Sequence, residues 1–295
     1  MNKHFVELAD KVIEKMENED LTFFNCYAKH LPLRSCGVNY TGINLISLIW
    51  LSSEVEGLLP YWFTFKQIVA VGGKLKKGSK GFRVYFFKDY FVDEDGKMVK
   101  EDDVDEDIHT KRFALRSYVV FNTKDIEGLD QKYYEFHVSN ENEKIEMCET
   151  FFNSIDFSLV HNNYDTPYYL PKKDFISMPD IERFKSAESY YSVLCHELVH
   201  WTSHKKRCNR DFSELNLKGN DYAFEELVAE FGSVFLSSYL GIESKVDDNH
   251  VAYLQGWASL LKKDKSLLIK ASSLAQKAVD FLISQSCFAD QKLVA

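Results

Sequence analysis

The feature that most limits how this chain can fold is a run of seventeen residues, Ser189 to Lys205, reading SYYSVLCHELVHWTSHK without proline or glycine. Ser186 stands upstream as an N-cap and Glu188 as a first-turn acid suited to the positive end of a helix dipole, so a helix is predicted here. Within it lie His196-Glu197-Leu198-Val199-His200. Residues four apart share a helical face about 6 Å apart, so both imidazoles can reach one metal ion while Glu197 lies to the side. A Zn²⁺ held in this way lowers the pKa of its bound water to about 7, and a neighbouring carboxylate can take the proton as that water attacks a carbonyl. His196 and His200 are therefore the expected metal ligands, and Glu197 the expected catalytic base.

Such a site keeps one position open and needs a third protein ligand. On a regular helix His204 lies about 12 Å beyond His196, too far to share its metal, and is expected at the rim or behind a ligand. The position six residues after His200 is Lys206 and does not serve. A second helix is predicted from near Tyr222, in YAFEELVAEFGSVF, with Glu226 and Glu230 on one face and Glu225 pointing to another. Acids set among Leu227, Val228, Ala229 and Phe231 are costly to bury without a cation partner. The expectation is Glu226 as third ligand, with Glu230 one turn on accepting the other ring N–H of a ligand histidine. Zn²⁺, or another divalent ion such as Mn²⁺, suits these donors.

With 295 residues, 45% hydrophobic and 15% aromatic, the chain can bury a core for one large or two ordinary domains. The opening MNKHFVELADKVIEKMENED scatters acids where a secretory signal would be apolar, while Phe5, Leu8, Val12, Ile13 and Met16 fall at helical spacing. The longest apolar run, Ile43 to Leu51, is too short to cross a bilayer, so a soluble, cytoplasmic protein without a membrane partner is expected. Cys26, Cys36, Cys148, Cys195, Cys208 and Cys287 form no C-x-x-C pair, and reduced, packed thiols are expected. The net charge of −9 argues against a surface coated in basic groups, yet Lys66 to Lys88 contains no acid.

The organisation reads as α+β. After the first helix come a loop through LPLRSCGVNYTG, a second helix from Ile43 to about Ser53, and then short strands and turns. The acidic stretch between Asp93 and Asp107 reads as a solvated loop between two strands, with RFALRSYVVFN returning. A boundary falls near Ser139 to Lys144, dividing residues 1–138 from a mostly helical 139–295 broken by a loop at NNYDTPYYLPKKDFISMPD.

NYTGIN at Asn39 to Asn44, LPYWFTFKQ at Leu59 to Gln67, KKGSKG at Lys76 to Gly81, YVVFN at Tyr118 to Asn122, HELVHWTSH at His196 to His204 and YAFEELVAE at Tyr222 to Glu230 together resemble antirestriction proteins of the ArdC type, across nearly the whole chain. The resemblance implies an N-terminal domain that binds single-stranded DNA without sequence preference and a C-terminal zincin-like metallopeptidase domain. That arrangement is similar to the human DNA–protein crosslink protease Spartan. It also implies a protein of conjugative plasmids and other mobile elements that protects incoming single strands from host restriction. The family pattern more often has glycine where Ser203 stands, a departure that touches only the path after the second histidine.

A single-strand binder needs cations for phosphates and ring faces for bases. Candidate contacts are Tyr40, Asn44, Trp62, Phe65, Lys66, Lys76, Lys77, Lys80 and Arg83, although aromatics in a small domain are most often core and lysine-rich turns are usually solvated. Two rival functions stand beside this one. The first is a DNA-coating protein, or one that occupies a restriction enzyme, whose metal only braces the fold. The second is a regulatory peptidase that cleaves a repressor and touches no DNA.

Overall fold

The computed structural model describes residues 2–19, 30–99, 105, 108, 110–136, 139–162, 166–213, 215, 217, 219–243 and 251–289. Helix α1 (Lys3–Glu17) starts on Asn2, whose side chain accepts the N–H of His4, and buries Phe5, Val12, Ile13 and Met16. Then follow β1 (Leu33–Arg34), α2 (Gly42–Glu54), β2 (Tyr61–Thr64), α3 (Phe65–Ala70), β3 (Lys74–Leu75), β4 (Phe82–Val92), β5 (Met98–Val99), β6 (Thr110–Asn122) and β7 (Ile126–Glu127). Five of the strands form one sheet in the order β1-β2-β6-β4-β5, and β3 pairs with β7.

Where short strands were expected, β4 is a single strand of eleven residues. FRVYFFKDYFV holds β-branched and aromatic residues with no turn former after Gly81, so nothing interrupts it. It pairs antiparallel with β6 from Phe82↔Val120 to Val92↔Thr110. Helix α3 was not anticipated; its signal is a reciprocal capping box between Thr64 and Gln67. Residues 100–104, 106 and 107 of the acidic stretch lie outside the described residues, and its first part folds back as β5 on β4.

The second half contains α4 (Glu141–Asn153), β8 (Ser158–Asn162), β9 (Tyr168–Leu170), β10 (Phe175–Pro179), α5 (Ala187–Thr202), α6 (Asp221–Leu240), α7 (Val251–Lys263) and α8 (Ser266–Gln285). The segment expected as a loop carries β9 and β10, in a three-stranded sheet of order β8-β10-β9. Two short apolar runs there are separated by a tight turn in which Asp174 takes φ 55, and the prolines and lysines around them conceal the strands.

One hydrophobic cluster runs from Phe5 on α1 to Leu282 on α8. Helix α1 packs on α7, α2 on α8 and α6, and α8 on both α5 and α6. Segments on either side of residue 138 thus bury each other's apolar faces. Gly42 of the NYTGIN motif sits at this seam with φ +56, its N–H donated to Gln276 Oε1 at 3.1 Å, a backbone conformation that favours glycine. Cys148 and Cys195 are packed thiols as expected. Cys36 and Cys287 are instead exposed, and Cys26 lies outside the described residues. No helix among the described residues is long and apolar enough to cross a membrane.

Candidate functional site

Helix α5 starts on Ser186, which accepts the N–H of Ser189, and ends at Thr202, short of the predicted Lys205. Ser203 takes ordinary right-handed helical dihedrals as the C-cap, so serine fits where glycine is more usual. Helix α6 lies alongside. A Cβ built on Gly232 would stand 2.6 Å from Val199 Cγ2, so this glycine permits the close approach of the two helices. Ser233 Oγ adds a hydrogen bond to the Ser192 carbonyl at 3.2 Å.

The approach brings His196, His200 and Glu226 together, with one donor atom from each within 4.8 Å of the others. The two Nε2 atoms are 3.1 Å apart. Glu226 places Oε2 at 3.5 Å from His196 Nε2 and Oε1 at 3.5 Å from His200 Nε2. A tetrahedral ion with bonds of about 2.0–2.1 Å requires ligand-to-ligand edges of about 3.3–3.4 Å. Glu226 thus turns a different oxygen to each ring nitrogen, and with one oxygen from Glu226 the donor triangle stays within 4.8 Å, compact enough to close on a single divalent ion. Two ring nitrogens turned towards each other beside a buried carboxylate also call for a shared cation, whether a proton or a metal.

Each imidazole is held from behind by a second carboxylate. His196 Nδ1 faces Glu230 Oε1 at 3.3 Å, and His200 Nδ1 faces Glu225 Oε1 at 3.1 Å. A carboxylate at Nδ1 fixes the proton there and leaves the Nε2 lone pair for the metal. Glu230 stands where the sequence reading put it. Glu225 does not: read as pointing elsewhere, it is the partner of His200. The turn of about 100° between adjacent residues lets Glu225 and Glu226 straddle α5 and approach one imidazole from two sides.

Glu225 is anchored in turn by Arg210. The guanidinium donates from Nε to Glu225 Oε2 at 2.9 Å and pairs through Nη2 with Oε1. It also caps α5, donating to the Val199 carbonyl at 2.7 Å and to Thr202 Oγ1 at 2.6 Å. Arg210 lies in an irregular segment with no periodicity to announce it, and its side chain is 2% exposed.

Burial disfavours the charged form of His200, but Glu225 and Glu226 outweigh this and raise its pKa to about 10. Burial pushes the Glu226 carboxyl up, yet His196 and His200 hold it well below the usual range. For Glu225 the opposition of burial is likewise overcome by His200 and Arg210.

The donors open into a cavity of about 510 Å³ lined by Glu197, by Tyr168 and Tyr169 of β9, and by Tyr222 and Tyr253. The Tyr222 and Tyr253 hydroxyls are 3.4 Å apart at the mouth. Burial, then Tyr253 and Glu226, keep the Tyr222 phenol protonated. Strand β9 is the edge of its sheet. It is braced by Tyr169, which donates to Asp174 Oδ1 at 2.9 Å, and by Arg207, which pairs with Asp174 and lies 3.8 Å over the Trp201 ring. His204 corrects the sequence reading: α5 has ended before it, its Nδ1 accepts the N–H of Lys206 at 3.3 Å, and it does not line the cavity.

Of the candidate DNA contacts, the structure gathers four. Trp62 is only 3% exposed, not an open platform, and packs on Phe82 at 6.5 Å. With Phe82 it floors a second cavity of about 560 Å³, lined also by Lys76, Lys77, Lys80 and Lys124, with Asp125 as the one acid. The KKGSKG turn is pinned by Ser79 Oγ donating to the Lys76 carbonyl at 2.7 Å. Lys76 Nζ in turn donates to the Lys124 carbonyl, also at 2.7 Å. Tyr40 is buried at a different cavity, between the first segment and α6 and α8. Asn44 is structural: it donates to the Tyr85 carbonyl at 2.6 Å and accepts the Tyr85 N–H at 2.7 Å, closing the open edge of β4. Phe65 and Lys66 are exposed on α3, outside the lysine cavity. Arg83 points to the sheet face opposite Phe82.

The helix pair and its donors define the class. Residues 146–274 match the model of a zincin-like metallopeptidase. Residues 2–121 match the N-terminal domain of anti-restriction factor ArdC. The crystal structure of antirestriction ArdC protein from plasmid R388 is similar in its metal-free form, with TM-score 0.78 and 33% identity over 96% of this chain and 98% of that one. The Mn(II)-bound form of the same protein gives TM-score 0.75 over 97% and 99%. The chain belongs to the ArdC antirestriction family. It is also 31% identical to an uncharacterised protein, y4eC, of Sinorhizobium fredii, over 86% of this chain and 81% of that one. The DNA primase TraC of Escherichia coli is 31% identical over 86% of this chain, which spans only 24% of the primase.

Proposed function

We propose that this protein is a single-metal peptidase that binds single-stranded DNA and serves in antirestriction. His196, His200 and Glu226 would hold a divalent ion, whose chemistry would be to acidify a water and polarise a carbonyl. Glu197, buried beside them at the cavity wall, takes the water's proton and returns it to the leaving amine. Glu225 and Glu230 set the tautomers. The free edge of β9 offers backbone N–H and C=O groups to an extended chain, which favours a peptide over a small molecule as substrate. The carrying observation is the donor triangle with a carboxylate behind each imidazole. The lysine-rimmed cavity over Trp62 supports the DNA half, because cations over an aromatic floor are what an unpaired nucleotide needs.

Metal analysis and a single-strand titration on one full-length preparation test both halves. One equivalent of divalent metal is expected in the wild type and in Glu197→Gln, and none in His196→Ala or His200→Ala. Hydrolysis should be absent from all three variants. Full metal occupancy in the doubly substituted histidine protein would sink the site. Single-strand affinity should fall with salt. Replacing Lys76, Lys77 and Lys80 together should reduce the slope of log affinity against log salt by up to about 2, at roughly 0.7 per phosphate contact. An unchanged slope removes the lysine cavity from the DNA path.

A further inference from the structure

The β4–β6 hairpin carries a second feature that neither the metal site nor the lysine cavity uses. Paired residues of antiparallel strands share a face, and the register puts Phe82, Val84, Phe86, Lys88 and Tyr90 on one side of β4, opposite Val120, Tyr118, Arg116, Ala114 and Arg112. The residues named on this face include no acid. On it the rings of Phe86 and Tyr118 lie parallel, 3° apart in plane with centroids at 4.5 Å. Tyr118 is 55% exposed. Arg116, Lys88 and Arg112 are exposed on the same face, successively further from the pair towards Tyr90, and none has a carboxylate partner among the described residues.

An exposed tyrosine already backed by a parallel phenylalanine is a rigid step whose outer π-face is open, and every base has a face to lay on it. Arg116, Lys88 and Arg112 follow that step along the hairpin towards Tyr90, a row of cations suited to the phosphates of successive nucleotides on that side of the stacked base. The face also leads directly to Phe82 and Trp62, so it continues the lysine cavity rather than forming a separate patch.

We propose that single-stranded DNA runs along this face of the hairpin, with a base stacked on Tyr118 and the phosphates of successive nucleotides passing Arg116, Lys88 and Arg112 in turn. The inference rests on the proposed DNA binding and names the residue that supplies the stacking, a role Trp62 is too buried to fill. Duplex DNA, whose bases are already stacked, cannot use the step.

The test uses the full-length protein and a dye-labelled thymidine oligonucleotide, read by fluorescence anisotropy. Tyr118→Ala should weaken binding by about 5- to 150-fold, the range for loss of one base–aromatic stack, at every salt concentration. Tyr118→Phe keeps the ring and should bind as the wild type does. Arg112→Gln with Arg116→Gln should instead lower the salt slope by about 1.4. Photocrosslinking the wild type to a bromouracil oligonucleotide, which needs no variant, should map to the peptide containing Tyr118. Undiminished binding by Tyr118→Ala, an equal loss in Tyr118→Phe, or crosslinks confined to residues 62–82 would overturn the inference and leave DNA binding standing. If the wild type binds no single strand, both fall.

Discussion

Gly232 offers a direct test of how the metal helices are held together. Alanine there would place its Cβ 2.6 Å from Val199 Cγ2, 2.8 Å from Cγ1 and 3.2 Å from Cβ, against ordinary carbon contacts of about 3.5–4.0 Å. Both methyls and the branch carbon face the glycine, so rotating a stiff helical valine relieves none of the three together. The helices must part instead. Overpacking of this kind costs about 1–3 kcal/mol, and alanine regains up to about 1 kcal/mol of helix propensity over glycine. The net expectation is a loss of up to about 3 kcal/mol, or a fall in melting temperature of up to roughly 12 °C at about 2–4 °C per kcal/mol. Thermal unfolding of the chelator-treated protein reads this without interference from bound metal. A second readout is metal affinity, which should weaken because Glu226 and Glu230 ride on the displaced helix. Val199→Ala, added to Gly232→Ala, should restore part of both losses. A melting temperature that rises in Gly232→Ala, with metal affinity unchanged, would mean that α5 and α6 do not touch at this point, and the donor geometry would lose its support.

The Arg210–Glu225–His200 chain and the titration of the site give two more expectations. Glu225→Gln should weaken metal binding by about 10- to 100-fold, as losses behind a ligand do, while Glu226→Gln should abolish stoichiometric metal; competition with a chromophoric chelator separates the two, and equal effects would remove the distinction drawn between them. In the metal-free protein, the raised His200 pKa contributes stability that is present below about pH 6.5 and is lost as pH rises through about 10. Glu226 works in the opposite sense, contributing above about pH 4.5 and losing its contribution on acidification. Because the ion must displace the His200 proton, metal affinity should rise about tenfold per pH unit across neutrality. Calorimetry in buffers of different ionisation enthalpy should find about one proton released; a pH-independent affinity would refute the coupling.

The metal helix was legible because its chemistry and its periodicity coincide: histidines four positions apart, no helix breaker, and a cap three residues ahead of Ser189. Glu226 and Glu230 followed from the cost of burying acids among Leu227, Val228 and Phe231. Glu225 did not, because one-dimensional periodicity assigns a residue to one face and cannot register that two adjacent residues straddle a crossing helix. Arg210 and His204 were beyond reach for a related reason. Where α5 ends depends on the guanidinium that caps it, and that guanidinium arrives from a segment with no pattern of its own. In the first half, aromatic content suggested stacking but could not sort buried rings from open ones. Trp62 and Tyr40 went into cores, while Tyr118 is open because the register of a long hairpin places it there.

The seam between the two halves bears on how the protein can be dissected. Helices α1 and α2 find their apolar partners on α6, α7 and α8, so cutting near residue 138 would strand Phe5, Ile46 and Ile49 on one piece and Leu261 and Leu268 on the other, all of them fully buried in the intact chain. Loss of DNA binding or of metal in such a piece would report solvent-exposed core, not the address of a function. Mapping the two proposed activities therefore calls for point substitutions at the surface of a whole chain. Any copy of this unit carried inside a longer polypeptide is best excised with both halves present.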